Sequence, residues 1–216
     1  MNRWAPVPRR CHLTALPGGA ILPPMTPIRD AEADDASLLA RYAGGDQAAA
    51  RLLTARHAPR VFAVARRMLG EQAEAEDVTQ ETMLRLWRIA PEWQAGQAAL
   101  GTWLYRVSAN LCIDRLRRRR EIASDSLPER ADEAPGALAR IEAEDRAAAL
   151  HAALGSLPDR QRLAIVLRHF EERSNPEIAE ILDTSVEAVE SLLGRARREL
   201  AARLAPRREE LGFDDG

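Results

Sequence analysis

Arg106, Asn110 and Arg117 fall in one narrow sector if residues 99–120, ALGTWLYRVSANLCIDRLRRRR, form a helix. That helix then ends in four consecutive arginines, Arg117 to Arg120. Guanidinium and amide groups on one face are donors aimed at something anionic, and arginine in particular grips phosphates and guanine edges with two parallel hydrogen bonds. A second array lies in residues 186–204, where Glu187, Ser191, Gly194, Arg195 and Arg198 share one side. Val186, Val189, Leu192, Leu193, Ala196, Leu200 and Leu204 gather on the other and would pack on a domain. Both arrays suit the binding of a polyanion rather than the making of bonds. An arginine run alone is as often a solvated helix end, so the surroundings decide.

Covalent and metal chemistry find no support. There is no Gly-rich phosphate loop and no nucleophile elbow among the abundant carboxylates. Cys11 and Cys112 make no disulfide framework, and His12, His57, His151 and His169 are scattered without ligand spacing. The expectation is therefore no catalytic residue, no metal and no cofactor.

Charge is segregated along the 216 residues. The net charge is -2 and the pI near 6.1, and all 31 basic residues are Arg. Residues 101–120 hold six Arg against one Asp, whereas residues 121–145 hold eight acids against two Arg. A nearly neutral chain can in this way still present a basic face to nucleic acid. No run of 18 apolar residues suggests a membrane span, and the prolines and glycines that break ALPGGAIL argue against a signal peptide, so the expected location is the cytoplasm.

The elements that must position these arrays read as helices. Residues 1–29 carry six of the 13 prolines and are expected to be a flexible extension, with Met25 a second start that competes with Met1. From Asp34 helical spacing sets in with Leu38, Leu39 and Tyr42, then Ala48, Leu52 and Leu53 beyond the Gly44-Gly45-Asp46 turn. Val61 to Leu69 reads as a further helix closed by Gly70. EAEDVTQETMLRLWR follows, with Val78, Met83 or Leu84, and Trp87 inward and Asp77, Gln80, Glu81 and Arg85 on the opposite side. A loop with Trp93, Gln94 and Gln97 leads to the arginine-bearing helix, whose core stripe is expected at Leu100, Trp103, Leu104, Val107 and Leu111. Asp114 falls within that apolar sector and calls for a partner, with Arg118, Arg66 and Arg67 the candidates.

Residues 122–143, acidic and interrupted by Pro128, Pro135 and Gly136, are expected to be a linker. Beyond it two capping boxes are expected, Ser174 with Glu177 and Thr184 with Glu187, flanking a turn at Asp183-Thr184-Ser185. Two helices joined by three residues form a helix-turn-helix, whose second helix would enter a DNA groove. The fold class expected is all-α, with a helical domain at 30–121, the linker, a helix-turn-helix domain at 144–205 and a tail at 206–216.

DVTQETMLRLWR, TWLYRVSANLCIDRLRRRR and SLPDRQRLAIVLRHFEERSNPEIAEILDTSVEAVESLLGRARREL together resemble, in order and spacing, the bacterial extracytoplasmic-function (group 4) RNA polymerase sigma factors over residues 34–204. The resemblance implies core RNA polymerase and promoter DNA as partners, with an anti-sigma factor as a further one. It places Asp77, Gln80, Glu81 and Arg85 on the helix that docks on polymerase. It places Trp93, Gln94, Gln97, Arg106, Asn110, Arg117 and Arg118 where the minus-ten element is melted and read. Glu187, Glu190, Ser191, Arg195, Arg197 and Arg198 would lie on the helix that reads the minus-thirty-five element. Three departures stand out: Asp183 occupies a turn position often held by Gly, Leu100 stands where an aromatic is frequent, and Glu190 is acidic on a groove-facing helix. The alternative is a helix-turn-helix response regulator, which would need an α/β receiver that residues 34–121 do not suggest.

Overall fold

The computed structural model describes residues 33–93, 99–125 and 149–205, and these are helical, with no strand among them. Helix α1 (Asp35–Ala43) is capped by Asp34, whose carboxylate accepts from the Ser37 amide at 2.7 Å. A turn through Gly45, at φ 97°, leads to Asp46, which caps α2 (Gln47–Leu69) through the Ala48 amide at 2.8 Å. The same carboxylate takes Arg41 at 2.8 Å, so one acid fixes both the helix start and the corner.

The two helices expected between Ala48 and Leu69 are one, with Pro59 inside it. Proline removes one helical hydrogen bond, but Pro59 and Ala55 are exposed, so the freed carbonyl faces solvent. Leu53, Val61 and Val64 bury on either side and hold the helix on course. Gly70, at φ 85°, ends α2 in the left-handed conformation expected of it. Helix α3 (Gln72–Ile89) and a 3₁₀ turn (Ala90–Glu92) follow, then α4 (Leu100–Asp125), which continues past the point where the acidic linker was expected to begin. Residues 149–155 are helical and lead to α5 (Asp159–His169), α6 (Asn175–Leu182) and α7 (Val186–Leu204).

Two apolar cores organise these elements. One joins α1 to α4 through Leu38, Leu39, Leu53, Val61, Leu86 and Leu104. The other is shared between the halves: Val64, Met68, Val78, Tyr105 and Cys112 pack in one cluster with Leu163, Leu167, Ile178, Val189 and Leu193. Burying a side chain of the size of Leu163 contributes roughly 1.5–3 kcal/mol. Helix α4 therefore buries two faces, and its buried residues are Leu100, Thr102, Leu104, Tyr105, Ser108, Ala109 and Cys112. Trp103, Val107 and Leu111, expected in the stripe, are only half-buried. The shift has a physical cause: α4 packs along α6 as well as α2 and α3, so the C-terminal half covers a side that periodicity would leave to solvent.

Candidate nucleic-acid interface

Helix α6 opens with a complete capping box. The Ser174 amide donates to Glu177 Oε2 at 2.8 Å, and Ser174 Oγ accepts from the Glu177 amide. The Ser174 amide, and with it the Ser174 hydroxyl donating to the same oxygen at 2.7 Å, holds the Glu177 carboxyl below its ordinary range. Asp183 closes α6 at φ 50°, ψ 61°, a left-handed cap. Three residues separate α6 from α7, as the sequence predicts. The second capping box does not form. Helix α7 starts at Val186, so Ser185, not Thr184, is the cap, and its hydroxyl accepts from the Ala188 amide at 3.2 Å. Position N3 is then Ala188, which has no carboxylate to reciprocate.

Helix α7 lies against α5 and α6 through Val189, Leu193 and Ala196, with Val186, Leu192 and Leu200 half-buried. Glu187, Glu190, Ser191, Arg195, Arg197 and Arg198 are all exposed along its outer side. A Cβ on Gly194 would meet only Arg198, at an ordinary 3.7 Å, so nothing within the chain requires glycine there.

The arginine-bearing face of α4 is divided by the fold. Arg106 is half-buried and donates to the Glu180 carbonyl of α6. Asn110, Arg117 and Arg118 are exposed, Arg117 beside Asp114 at 3.3 Å and Glu121 at 3.7 Å. Asp114 is thus a surface residue paired three residues on, not a carboxylate in an apolar sector, because the buried side of α4 is the one turned to α6. Arg119 binds the Leu69 carbonyl at 3.0 Å and Glu74 at 2.7 Å, and Arg120 pairs with Asp159 at 2.5 Å. The last two arginines of the run are ties within the fold, which leaves Arg117 and Arg118 facing outward. Trp93 is half-buried, edge-on to Trp103 with ring centroids 5.9 Å apart. Gln94 and Gln97 lie outside the described residues.

Asp77, Gln80, Glu81 and Arg85 do share one side of α3 and, with Asp114, Arg115 and Arg118 of α4, line a polar cleft between the two helices. Arg85 Nε donates to Glu81 at 2.8 Å, which, as the leading cause, holds that carboxyl below its usual range. Next to the cleft, Gln80 also borders an apolar groove formed by Phe62, Met83, Leu84 and Trp87, in which Leu84 is 41% exposed. This groove is not among the features expected from the sequence. Its signal was the Met83-Leu84 pair: adjacent residues on a helix point about 100° apart, and with Met83 buried beside Leu86, Leu84 is turned away from the core. Cys112 is buried, and burial pushes its thiol up to about 12, so it is inert as a nucleophile. Among the described residues no cluster of His, Cys, Asp or Glu could hold a metal, and no helix is long and apolar enough to cross a membrane.

Comparison with known families gives two matches, Sigma-70 region 2 at residues 53–122 and Sigma-70, region 4 at residues 147–200. The ECF RNA polymerase sigma factor SigE of Mycolicibacterium smegmatis is 39% identical over 175 residues, covering 78% of this chain and 67% of that protein. The RNA polymerase sigma-H factor of Pseudomonas aeruginosa is 33% identical, with 80% and 94% covered. Among solved structures, CnrH in complex with the cytosolic domain of CnrY is similar at a TM-score of 0.61 and 31% identity, over 80% of this chain and 97% of that one.

Proposed function

The chain belongs to the extracytoplasmic-function sigma factors, and from that membership we propose that it binds core RNA polymerase, directs promoter-specific initiation and is held in check by an anti-sigma protein. The observation that carries the reading is the pairing of region 2 and region 4 in one chain, in order, with a capped three-residue helix-turn-helix in the second. A helix-turn-helix alone would fit many regulators.

Within that reading, residues 30–121 form the polymerase-docking and minus-ten unit, and residues 144–205 the minus-thirty-five unit, joined by the acidic linker. Asp77, Gln80, Glu81 and Arg85 meet polymerase, where the adjoining groove at Leu84 adds apolar contact. Helix α7 enters the major groove, so that Arg195 and Arg198 reach base edges or phosphates while Glu187 and Glu190 accept from cytosine amino groups or repel wrong sites. Trp93, Gln94, Gln97, Arg106, Asn110, Arg117 and Arg118 serve strand separation: rings stack on an unpaired base, amides read its edge, and guanidinium groups hold the backbone. The work is done by binding energy, and no step requires a covalent intermediate or a bound cofactor.

Run-off transcription with purified core polymerase on fragments of the source genome tests the reading. The expected result is transcripts that start only when the protein is added. Absence of any such transcript, together with failure to co-elute with core polymerase, would overturn it in favour of a plain DNA-binding regulator.

A further inference from the structure

The apolar groove between α2 and α3 has a volume of about 630 Å³, with Ala58 and Phe62 of α2 on one wall and Met83, Leu84 and Trp87 of α3 on the other. Two polar groups open on it. Pro59 has no N–H to give the Ala55 carbonyl, which is left outside the helical ladder, and both residues line the groove. Glu76, exposed at its edge, takes the Gln72 amide at 2.8 Å and is paired with no arginine among the described residues. An occupant that fits is therefore apolar, offers hydrogen-bond donors and carries positive charge where it meets Glu76.

We propose that this groove seats the chain's own N-terminal segment, residues 3–16, and that core polymerase displaces it on docking. The segment reads RWAPVPRRCHLTAL and lies outside the described residues. Proline-bearing segments dock in aromatic-lined grooves because little backbone freedom is lost on seating. Trp4 supplies a ring and an indole N–H, and Arg9 and Arg10 complement Glu76. The described chain begins at Ala33, whose carbonyl accepts from Arg56 at 3.0 Å, while Asp35 takes Arg56 at 2.6 Å and His57 at 2.8 Å. Arg56 follows Ala55 in α2, so this entry point and the groove lie on two sides of one helix, about 10 Å across. The intervening residues 17–32 span up to about 50 Å when extended, so the segment reaches the groove with slack. A tether of this kind sets an effective concentration on the order of millimolar, which fills a seat too weak for a separate peptide. The displacement rests on the sigma-factor reading: Gln80 and Leu84 border both the groove and the polar cleft assigned to polymerase, so a molecule filling one covers the rim of the other.

Cys11 lies within the segment and Cys112 is buried, so one added cysteine reports where the segment sits in the full chain. Thr54→Cys places a thiol at the groove, and Ala202→Cys places one at an exposed position of α7. The disulfide that each forms with Cys11 is measured in a glutathione redox buffer, which gives the effective concentration of one thiol beside the other. The value at the groove should exceed that at α7 by about tenfold or more. Trp4→Ala combined with Arg9→Glu and Arg10→Glu, all within the segment, should erase the difference. Equal values at the two positions, or a disulfide that joins two copies of the chain instead of closing one, overturn the seat. With no added cysteine, the same triple variant is then titrated with core polymerase and should bind roughly three- to tenfold more tightly than the parent. Unchanged affinity, with the disulfides responding as described, overturns displacement by polymerase. Failure of both proteins to bind core, with the same disulfide response, overturns the sigma-factor reading and leaves the seat supported.

Discussion

Asp183 shows how a single residue permits the DNA-reading geometry. The turn between α6 and α7 demands a left-handed backbone, φ 50°, and aspartate tolerates it better than most side chains. Asp183→Gly should therefore be neutral or stabilise by less than about 1 kcal/mol, whereas β-branched Asp183→Val should destabilise by about 1–3 kcal/mol. Thermal melts of the three proteins check this, and equal melting of the Val variant would show that the cap is not strained. Arg195 stands at the opposite limit, exposed on α7 and absent from the structural ties of the fold. Arg195→Ala should weaken promoter recognition by about 1–3 kcal/mol and leave core-polymerase binding unchanged. Gel-shift titration of the holoenzyme, beside a core-binding assay, separates the two; equal loss in both would mark the arginine as structural.

At the scale of the helix, what was legible in the sequence is what is determined locally. Gly70, the Ser174-Glu177 box and the three-residue turn were readable because a cap depends on residues within one turn of itself. Accordingly, Ser174→Ala should cost about 1 kcal/mol, within a range of 0.5–2, by leaving helix-start amides without acceptors. A lowered denaturant midpoint with an unchanged slope is the expected signature. The misreadings share the opposite cause. The second box is absent and the cap of α7 lies one residue later than expected, because Thr184 and Ser185 are both competent caps and α7 starts where Val189 and Leu193 reach the core. The stripe of α4 rotated, and Asp114 came to the surface, because α6 covers a face whose burial depends on residues some 70 positions away. Periodicity in one helix carries no record of a partner so distant. Helical spacing made legible which side of α7 faces outward and that Asp77, Gln80, Glu81 and Arg85 share a side of α3. The division of Arg117 to Arg120 into two outward residues and two ties was not, since it depends on where Glu74 and Asp159 arrive.

The whole molecule carries a pH dependence, because three histidines are placed where the charged form is disfavoured. Burial is the leading cause at each, and it lowers the proton affinity below the ordinary value of 6.5. His57 has Asp35 at 2.8 Å, which pulls the other way, but desolvation with Arg56 and Arg60 nearby prevails. His169 is exposed, so water screens its effect and it contributes least. His151 matters most for the joint between halves: its ring lies over Gly70, with Arg66 and Arg162 facing it. Below pH 6.5 the unfolded chain takes up protons that the folded chain resists, so stability is full above about pH 7 and falls as the pH drops through the ordinary histidine range. Thermal melts at about pH 7.5 and about pH 5.5 should show a lower midpoint in acid. His151→Gln, which removes the titrating group but keeps a side chain of similar reach over Gly70, should flatten that slope. An unchanged slope in the variant would move the acid sensitivity from the joint to His57, within the core of α1 and α2.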